Sequence, residues 1–487
     1  MRQLGRVALL PLGFGIGVLP LTLNRSPELI RVAAAVGIVS AMVIVLIRNA
    51  RLATLLVLWF LPVLALVRRI LIPVAGWTSY DALLLVAPIV ATFLLCRVFL
   101  VEKRPLARDL ASKAVLIVMV LAVIQVVNPK AGGLVAGLTG LLFLAAPLSW
   151  YFIGRELADR QLIGKLLNGT VILATGIAGY GLWQSLVGFM PWDSAWADLN
   201  GYASLSVLGV TRAFGTFSSG SEYAFFLAAG LVIALVTGLT GRPRAFLALP
   251  ILASGIFLES SRTIVFLILL SVAGLIGIRT GRKSFTAVAV GSFVVVALAT
   301  IHFVGPQLTT AAQQSGSSLI AHQVAGLMNP FDPNQSTLLL HQHFISNGLV
   351  GTLQEPLGMG TASTNLAGQK LGVSSNSAEV DIVDAFISLG ILGGFAFAVV
   401  VILTLWRSIS LAFVTRDVCG IAVLGILVVT FGQWLNGGYY AVSPLVWLLA
   451  GWTNREWLAR RQQTLAIGVE RGYAHAEGFP RTGWSPI

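Results

Sequence analysis

Long apolar stretches separated by short polar segments are the main pattern of this chain. Most of them approach the ~20 residues that span a bilayer as a helix. They are residues 7–23, 29–47, 52–67, 81–100, 114–127, 132–153, 165–187, 222–240, 245–259, 263–278, 285–303, 382–405, 418–435 and 437–452. Because four are short, the pattern predicts 12–14 transmembrane helices. A membrane β-barrel would instead show alternating segments of ~10 residues, so the predicted fold class is an all-α, polytopic helical membrane protein.

Two polar stretches interrupt this pattern, at about 188–221 and 304–381. Within the second, residues 336–355 carry apolar side chains at helical spacing. They predict an amphipathic helix lying against the membrane, with Leu340, Phe344, Leu349 and Leu353 on its apolar face. The predicted regions are N-terminal helices in 1–120, core helices with the first long loop in 121–303, a large loop in 304–381, C-terminal helices in 382–453, and a loosely ordered tail in 454–487.

Composition and charge sharpen this picture. The chain is 56% hydrophobic and 10% charged, against roughly 25% charged in soluble domains, which excludes a water-soluble globule. With both termini in the cytoplasm, 24 of the 32 Lys and Arg residues lie on the cytoplasmic side, as the positive-inside rule requires. Arg68 and Arg69 are the exception. The basic residues are dispersed among short loops, so nucleic acid is not an expected partner.

Charged residues at the ends of apolar runs are the first candidates for chemistry. The stretch "FLESSRTIVF" at 257–266 places Glu259 and Arg262 between two apolar runs, although a charge at the bilayer centre costs about 2.5 kcal/mol or more. One interpretation is a structural i,i+3 ion pair. The other is that Arg262 and Arg212, both on the outer side, bind a diphosphate through their planar guanidinium groups, with Glu259 orienting Arg262.

The outer loops also collect titratable side chains. These are His302, His322, His341, His343, Glu222, Asp332, Glu355, Glu379, Asp381 and Asp384. Since His341 and His343 are two residues apart, they point to different sides of a helix. No H-E-x-x-H pattern is present either. The sequence therefore predicts no metal site and no cofactor.

Six stretches, in this order, carry a resemblance to a known family. They are "IQVVNPKAGGLVAGLTG" (124–140), "GYGLWQSLVGFMPWD" (179–193), "RAFGTFSSGSEYA" (212–224), "SSRT" (260–263), "HQHFISNGLVGTLQEPLGMG" (341–360) and "AEVDIVDAFISLGILGG" (378–394). The chain resembles the O-antigen ligase and O-antigen or exopolysaccharide polymerase superfamily of bacterial inner-membrane proteins. The resemblance covers roughly 120–394, whereas the first 120 residues match only as generic spans.

The resemblance implies a metal-independent glycosyltransferase with a GT-C-like fold, located in the bacterial inner membrane. Such enzymes take a glycan from an undecaprenyl-diphosphate donor on the periplasmic face and transfer it to a sugar hydroxyl of an acceptor glycan. Arg212 and Arg262 would bind the diphosphate leaving group. Glu379, Asp381 or His341 would be the general base, and the sequence leaves these three open. A chain-length regulator and other polysaccharide assembly proteins are the protein partners that this implies.

One position bears on which member of the superfamily the chain resembles. Ligases carry the motif H-[NSQ]-x9-G-x-x-[GTY], and when it is aligned on Gly390 and Gly393 its histidine falls on Glu379, followed by Val380. A polymerase of lipid-linked repeat units is therefore the first expectation, and a ligase is the alternative. A transporter or flippase is a second alternative, although the chain lacks the two similar halves that are frequent in transporters.

Overall fold

The structure, a computed structural model, is helical almost throughout. It describes residues 27–78, 81–106, 109–200, 206–207, 210–259, 261–314, 316, 318–329, 331–332, 338–365, 368–369, 371–373, 376–435 and 440–477. The first predicted span, at 7–23, lies outside these ranges. A small antiparallel pair of strands, β1 (Ser206–Val207) and β2 (Val210–Thr211), accompanies the helices.

The α-helices run in chain order as follows: α1 Pro27–Arg48, α2 Ala50–Ile70, α3 Ile72–Ala75, α4 Val86–Cys96, α5 Leu110–Ile124, α6 Leu134–Leu157, α7 Arg160–Leu186, α8 Pro191–Asn200, α9 Gly220–Leu239, α10 Leu249–Glu259, α11 Arg262–Thr280, α12 Lys283–Phe303, α13 Gly305–Gln314, α14 Ser318–Met328, α15 Leu338–Gln354, α16 Asp381–Thr415, α17 Val418–Val429 and α18 Val442–Glu477. Four 3-10 turns, at Ala82–Leu85, Gln125–Val127, Pro129–Ala131 and Pro243–Ala248, and a π turn at Arg97–Val101 complete the elements.

Ten helices in the described ranges are long and apolar enough to cross a membrane. They coincide with ten of the predicted spans and confirm a polytopic helical membrane protein. Three further predicted spans, 245–259, 418–435 and 437–452, form shorter apolar helices or the first turns of α18. At 11 residues, α10 would be about 16 Å long, and at 12 residues α17 would be about 18 Å long, which is short of the ~30 Å of hydrocarbon.

Close contacts between helix ends show how the helices are directed. A Cβ added to Gly220, at the start of α9, would lie 2.6 Å from Oε1 of Glu259, at the end of α10. At the other end of the same pair, a Cβ on Gly238 would meet the ring of Phe246 at 2.5 Å. Thus α9 and α10 are antiparallel, and α11 begins beside the start of α9.

The loop before α18 ties two further helix starts to the same end. The backbone N–H of Ala441 donates to Oε1 of Glu222 in the first turn of α9, at 2.6 Å. The N–H of Leu435 donates to Oδ2 of Asp381, the first residue of α16, at 2.7 Å. We call the end at which α9, α11, α16 and α18 begin the upper end, and the other the lower end.

Helix α16 is broken near its start. Gly390 has φ 75° and ψ −175°, outside the helical region, and only glycine adopts such a conformation without steric cost. The segment 356–360, which follows α15, lies against the break and forms three backbone hydrogen bonds with α16. They are Ile391 N–H to Pro356 O at 3.0 Å, Met359 N–H to Ile387 O at 2.9 Å, and Gly360 N–H to Ser388 O at 3.1 Å. The segment 356–360 thus provides hydrogen-bond partners for the backbone groups of α16 that the break leaves without helical partners.

The tail does not behave as its composition predicts. Helix α18 continues through 454–477, so the expectation of a loosely ordered extension is wrong there. Trp457 packs against Trp406, with ring centroids 5.3 Å apart, and Arg407 lies over its ring. Glu456 pairs with Arg160 at 2.8 Å. These contacts stabilise the helix beyond the membrane span, because charged residues there have partners on neighbouring elements.

Candidate functional site

Arg212 and Glu259 form an ion pair at the upper end. Arg212 Nη1 lies 3.3 Å from Glu259 Oε1. The carboxylate is fully buried, whereas 14% of the arginine side chain is exposed. A buried carboxylate is stable only when a cation or hydrogen-bond donors accompany it, so Glu259 needs Arg212. The pair also ties the loop before α9 to the end of α10.

Arg262 reaches in another direction, toward α14. Its Nη2 lies 2.7 Å from Nε2 of His322 and donates to the backbone oxygen of the same residue at 3.0 Å. Its guanidinium rests against Gly326, one turn further along α14, where a Cβ would collide with it. The sequence-based expectation that Glu259 pairs with Arg262 is therefore wrong, since Glu259 takes Arg212 as its partner. Arg262 begins α11 and Glu259 ends α10, so the two residues do not lie on one continuous helix.

The charges of both arginines act on the pKa of His322. Burial lowers its pKa below the ordinary value, and the charges of Arg262 and Arg212 lower it further. The imidazole is therefore neutral near pH 7, where it can accept a proton or a hydrogen bond. We call Arg212, Glu259, Arg262 and His322 the arginine cluster. It holds two guanidinium groups, and a guanidinium group can bind the oxygens of an anion bidentately.

Buried polar residues shape the loop that carries Arg212. The side chain of Gln184 accepts hydrogen bonds from the N–H groups of Phe214 and Gly215 and donates to Gly215 O. Arg69 donates to Gly215 O at 2.7 Å and to Phe217 O at 3.0 Å. The loop backbone is thus held on both sides, immediately after Arg212.

Buried ion pairs in the same region explain why Arg68 and Arg69 depart from the positive-inside pattern. Arg69 pairs with Asp193 at 3.2 Å, and both side chains are fully buried. Arg68 pairs with Asp81 at 2.7 Å, and Asp81 also binds Arg31 at 2.6 Å. Arg68 and Arg69, the exceptions to the predicted orientation, thus belong to buried ion pairs, and their positions are explained by the fold rather than by the positive-inside rule.

The large loop contributes a histidine–carboxylate pair. His341, in the first turn of α15, places Nδ1 3.1 Å from Oε2 of Glu379. The hydrogen bond from His341 lowers the pKa of Glu379 below its usual value, although burial opposes this. Glu379 has φ 59°, an uncommon conformation for a residue other than glycine. Gln433 donates to its backbone oxygen at 2.7 Å and so holds this conformation.

Asp381, the third predicted base, is buried and accepts a backbone hydrogen bond. Asp381 is 3% exposed and accepts the N–H of Leu435, while its own N–H donates to Gly432 O at 2.9 Å. Asp384 accepts from the hydroxyl of Ser377 and from the N–H of Ala378, each at 2.7 Å. Both aspartates line a water-sized cavity of about 20 Å³. They hold the backbone around the start of α16, whereas His341 and Glu379 are partly exposed.

Two predicted site residues thus meet directly, His341 with Glu379, whereas Arg212 contacts Glu259 and Arg262 contacts His322. His322 is one of the titratable side chains that the sequence places in the outer loops, but nothing in the spacing indicates its contact with Arg262, because it comes 60 residues later on a separate helix. Gln184 and Asp193 fall in the quoted stretch 179–193, yet their bonds to Arg69 and Gly215 depend on the fold.

The described residues contain no group of three or more His, Cys, Asp or Glu side chains placed to hold a metal ion. Comparison with protein-family models and with curated proteins finds no match for this chain.

Proposed function

We propose that this protein is a membrane glycosyltransferase that polymerises lipid-linked repeat units of a surface polysaccharide, on the outer face of the bacterial inner membrane. The observation that carries the proposal is that the arginine cluster and the His341–Glu379 pair lie at the same end of the helix bundle. An anion-binding group and a candidate base at one membrane surface are the two parts that transfer from a lipid diphosphate needs.

In this proposal Arg212 and Arg262 bind the diphosphate of the donor. Charge grows on the diphosphate as the bond between the anomeric carbon and its oxygen breaks, and the bond electrons leave with the lipid diphosphate. Two guanidinium groups that are already in position stabilise that charge more in the transition state than in the ground state. His322 can add a hydrogen bond to a phosphate oxygen.

Of the three candidates for the general base, Glu379, Asp381 and His341, we propose His341. Glu379 accepts from the Nδ1 side of the imidazole, so Nε2 remains available to take the proton of the acceptor hydroxyl. The hydroxyl oxygen then bonds to the anomeric carbon. Asp381 and Asp384 already accept backbone and hydroxyl hydrogen bonds and are largely buried, so we assign them to the scaffold.

Transport is the second candidate, since the break in α16 at Gly390 is a feature shared with transporters. Deleting the gene separates the alternatives. A polymerase leaves lipid-linked single repeats on the outer face, a flippase leaves them on the inner face, and a ligase leaves full-length polymer that is not attached.

The single repeats that accumulate in the deletion strain are also the substrate for the direct test. Purified protein in detergent, with no membrane to cross, should convert them to lipid-linked oligomers and release lipid diphosphate. Transport across vesicles without any new glycosidic bond would overturn the proposal in favour of a flippase.

A further inference from the structure

The segment 356–360 has side-chain partners for its carbonyl oxygens as well as the backbone bonds to α16. Gln125, at the end of α5, donates to the carbonyl oxygen of Leu357, and Asn128 donates to that of Gly358 at 2.9 Å. An irregular backbone exposed to water needs no such partners. In hydrocarbon, however, each unsatisfied group costs several kcal/mol, so irregular segments persist there only when the protein satisfies them.

The side chains beside this segment are apolar and exposed. Leu357 is 83% exposed and Leu353, at the end of α15, is 73% exposed. The neighbouring surface of α5 and α6 continues the same character, with Val127 at 72% and Val135 at 65%. Isolated exposed leucines are ordinary, but exposed apolar side chains on this segment and on two membrane spans that adjoin it indicate a common surrounding medium.

The exposed face of α15 changes along its length. Its first turn exposes Leu339 and Leu340, and the following turns expose polar side chains, Gln342, His343, Ser346 and Asn347. In the second half it is apolar, with Leu349, Val350 and Leu353. The opposite face packs on α16 throughout, where a Cβ on Gly348 would meet Val383 at 2.8 Å. This gradient along one helix corrects the expected apolar stripe, because Phe344 packs on α16 whereas Leu340, Leu349 and Leu353 do not.

The lengths of two helices, counted from the charged residues at the lower end, give the depth of the segment in the membrane. At the lower end, Arg407 of α16 binds Asp109, the N-cap of α5. From Arg407 to Gly390 is about 26 Å of helix, and from Asp109 to Gln125 about 24 Å. Both distances fall inside the ~30 Å of bilayer hydrocarbon, counted from that charged layer.

A surface ion pair lies beside the segment. Lys130 and Glu355 are in contact, with 49% and 40% of their side chains exposed. Charged groups at a membrane boundary extend toward the headgroups while their stems remain apolar. Because Glu355 lies between Leu353 and Leu357 in the chain, its carboxylate extends from the apolar surface toward the headgroups and meets Lys130 there.

We propose that the last turns of α15 and the segment 356–360 insert into the hydrocarbon of the upper leaflet and are covered there by lipid acyl chains. Helix α15 then enters the membrane obliquely, with its first half, including His341, above the surface. The inference does not depend on which reaction the protein performs.

Fluorescence quenching by lipids tests the depth directly. Cys96 and Cys419 are replaced by alanine, and single cysteines are introduced as Leu357→Cys and Leu353→Cys. Leu138→Cys on α6, 51% exposed within a span, is the lipid-facing control. Ser346→Cys, in the polar turns of α15, is the aqueous control. Each variant carries a bimane label in phosphatidylcholine vesicles that contain a nitroxide on the acyl chain.

Both test positions should be quenched as strongly as Leu138→Cys, at least about twofold more than Ser346→Cys, because a nitroxide in the hydrocarbon quenches only at short range. Quenching at the level of Ser346→Cys, with ready labelling by a membrane-impermeant maleimide, would overturn the proposal. Protection from both reagents together with a disulfide between two copies would overturn it too, because protein would then cover the surface.

Discussion

The two ends of the bundle hold charged clusters of different arrangement. At the lower end, Asp109 accepts from Ser112 at 2.7 Å, Arg155 at 2.8 Å, Arg407 at 3.1 Å and Asn454 at 3.1 Å. Burial raises the pKa of Asp109, but the hydrogen bond from Ser112 and the charges of Arg155 and Arg407 hold it below its usual value. One carboxylate thus links four helices, α5, α6, α16 and α18.

At the upper end the same charges, two guanidinium groups and one carboxylate, are arranged differently. Arg212 pairs with Glu259, while Arg262 contacts His322 and Gly326 on α14. A single carboxylate that binds both guanidinium groups is what a structural network requires, whereas planar guanidinium groups held on separate partners can both turn to one anionic ligand. In the proposed function the lower cluster stabilises the fold and the upper cluster binds the donor, and four experiments test this difference.

The largest effect is expected from replacing the upper arginines. Arg262→Lys and Arg212→Lys keep the charge but lose the planar fork, so turnover should fall on the order of 10²–10³. At the lower end, Arg407→Lys is the matched substitution. It should lower thermal stability while turnover per folded molecule stays near the wild-type value.

Initial rates on lipid-diphosphate repeats, normalised to folded protein, provide the measurement. Wild-type rates in both Arg262→Lys and Arg212→Lys would contradict the proposal that these arginines bind the diphosphate. An equal loss in Arg407→Lys would show that the two ends do not differ in role.

A smaller loss is expected from the histidine–carboxylate pair. His341→Gln should reduce turnover about 10²-fold, the lower end of the range for general base catalysis. His343→Gln is the control on the same helix, since His343 is exposed and bonded to Asn347 at 2.9 Å, and it should be silent. Glu379→Gln should fall between these, because the amide oxygen can still accept from Nδ1 but carries no charge.

The pH dependence of the pair has a definite sign. Since the pKa of Glu379 is lowered in the folded protein, its contact with His341 is present above the ordinary glutamate range and is lost as pH falls through the folded value. A wild-type acid limb that persists unchanged in Glu379→Gln would contradict this assignment.

The smallest effect concerns His322 and pH. The two arginine charges lower its pKa, and a bound diphosphate offsets those charges, so binding should take up a proton at His322. Affinity for inorganic pyrophosphate, measured by calorimetry, should therefore gain a few-fold between pH 8 and pH 6 relative to His322→Gln. Identical pH dependence in the two proteins would place His322 outside the anion site.

Hydrophobic patterning was sufficient for the membrane class and for ten of the spans, because a helix must present ~20 apolar residues to cross hydrocarbon whatever its neighbours are. It was not sufficient for the pairing of charges. Glu259 and Arg262 have the spacing of an i,i+3 pair, yet residue 261 is non-helical and separates α10 from α11. The spacing rule applies only within one continuous helix.

The sequence by itself determined that this chain crosses a membrane many times, that charge concentrates at the ends of its spans, and that histidines and carboxylates gather in one long loop. These properties follow from the local cost of placing each residue in lipid or water. Tertiary structure decided the partners: Arg212 for Glu259, His322 for Arg262, Glu379 for His341, and the break of α16 for the segment 356–360. Each of these contacts joins residues on separate elements, so it depends on how the helices pack rather than on any pattern within one of them.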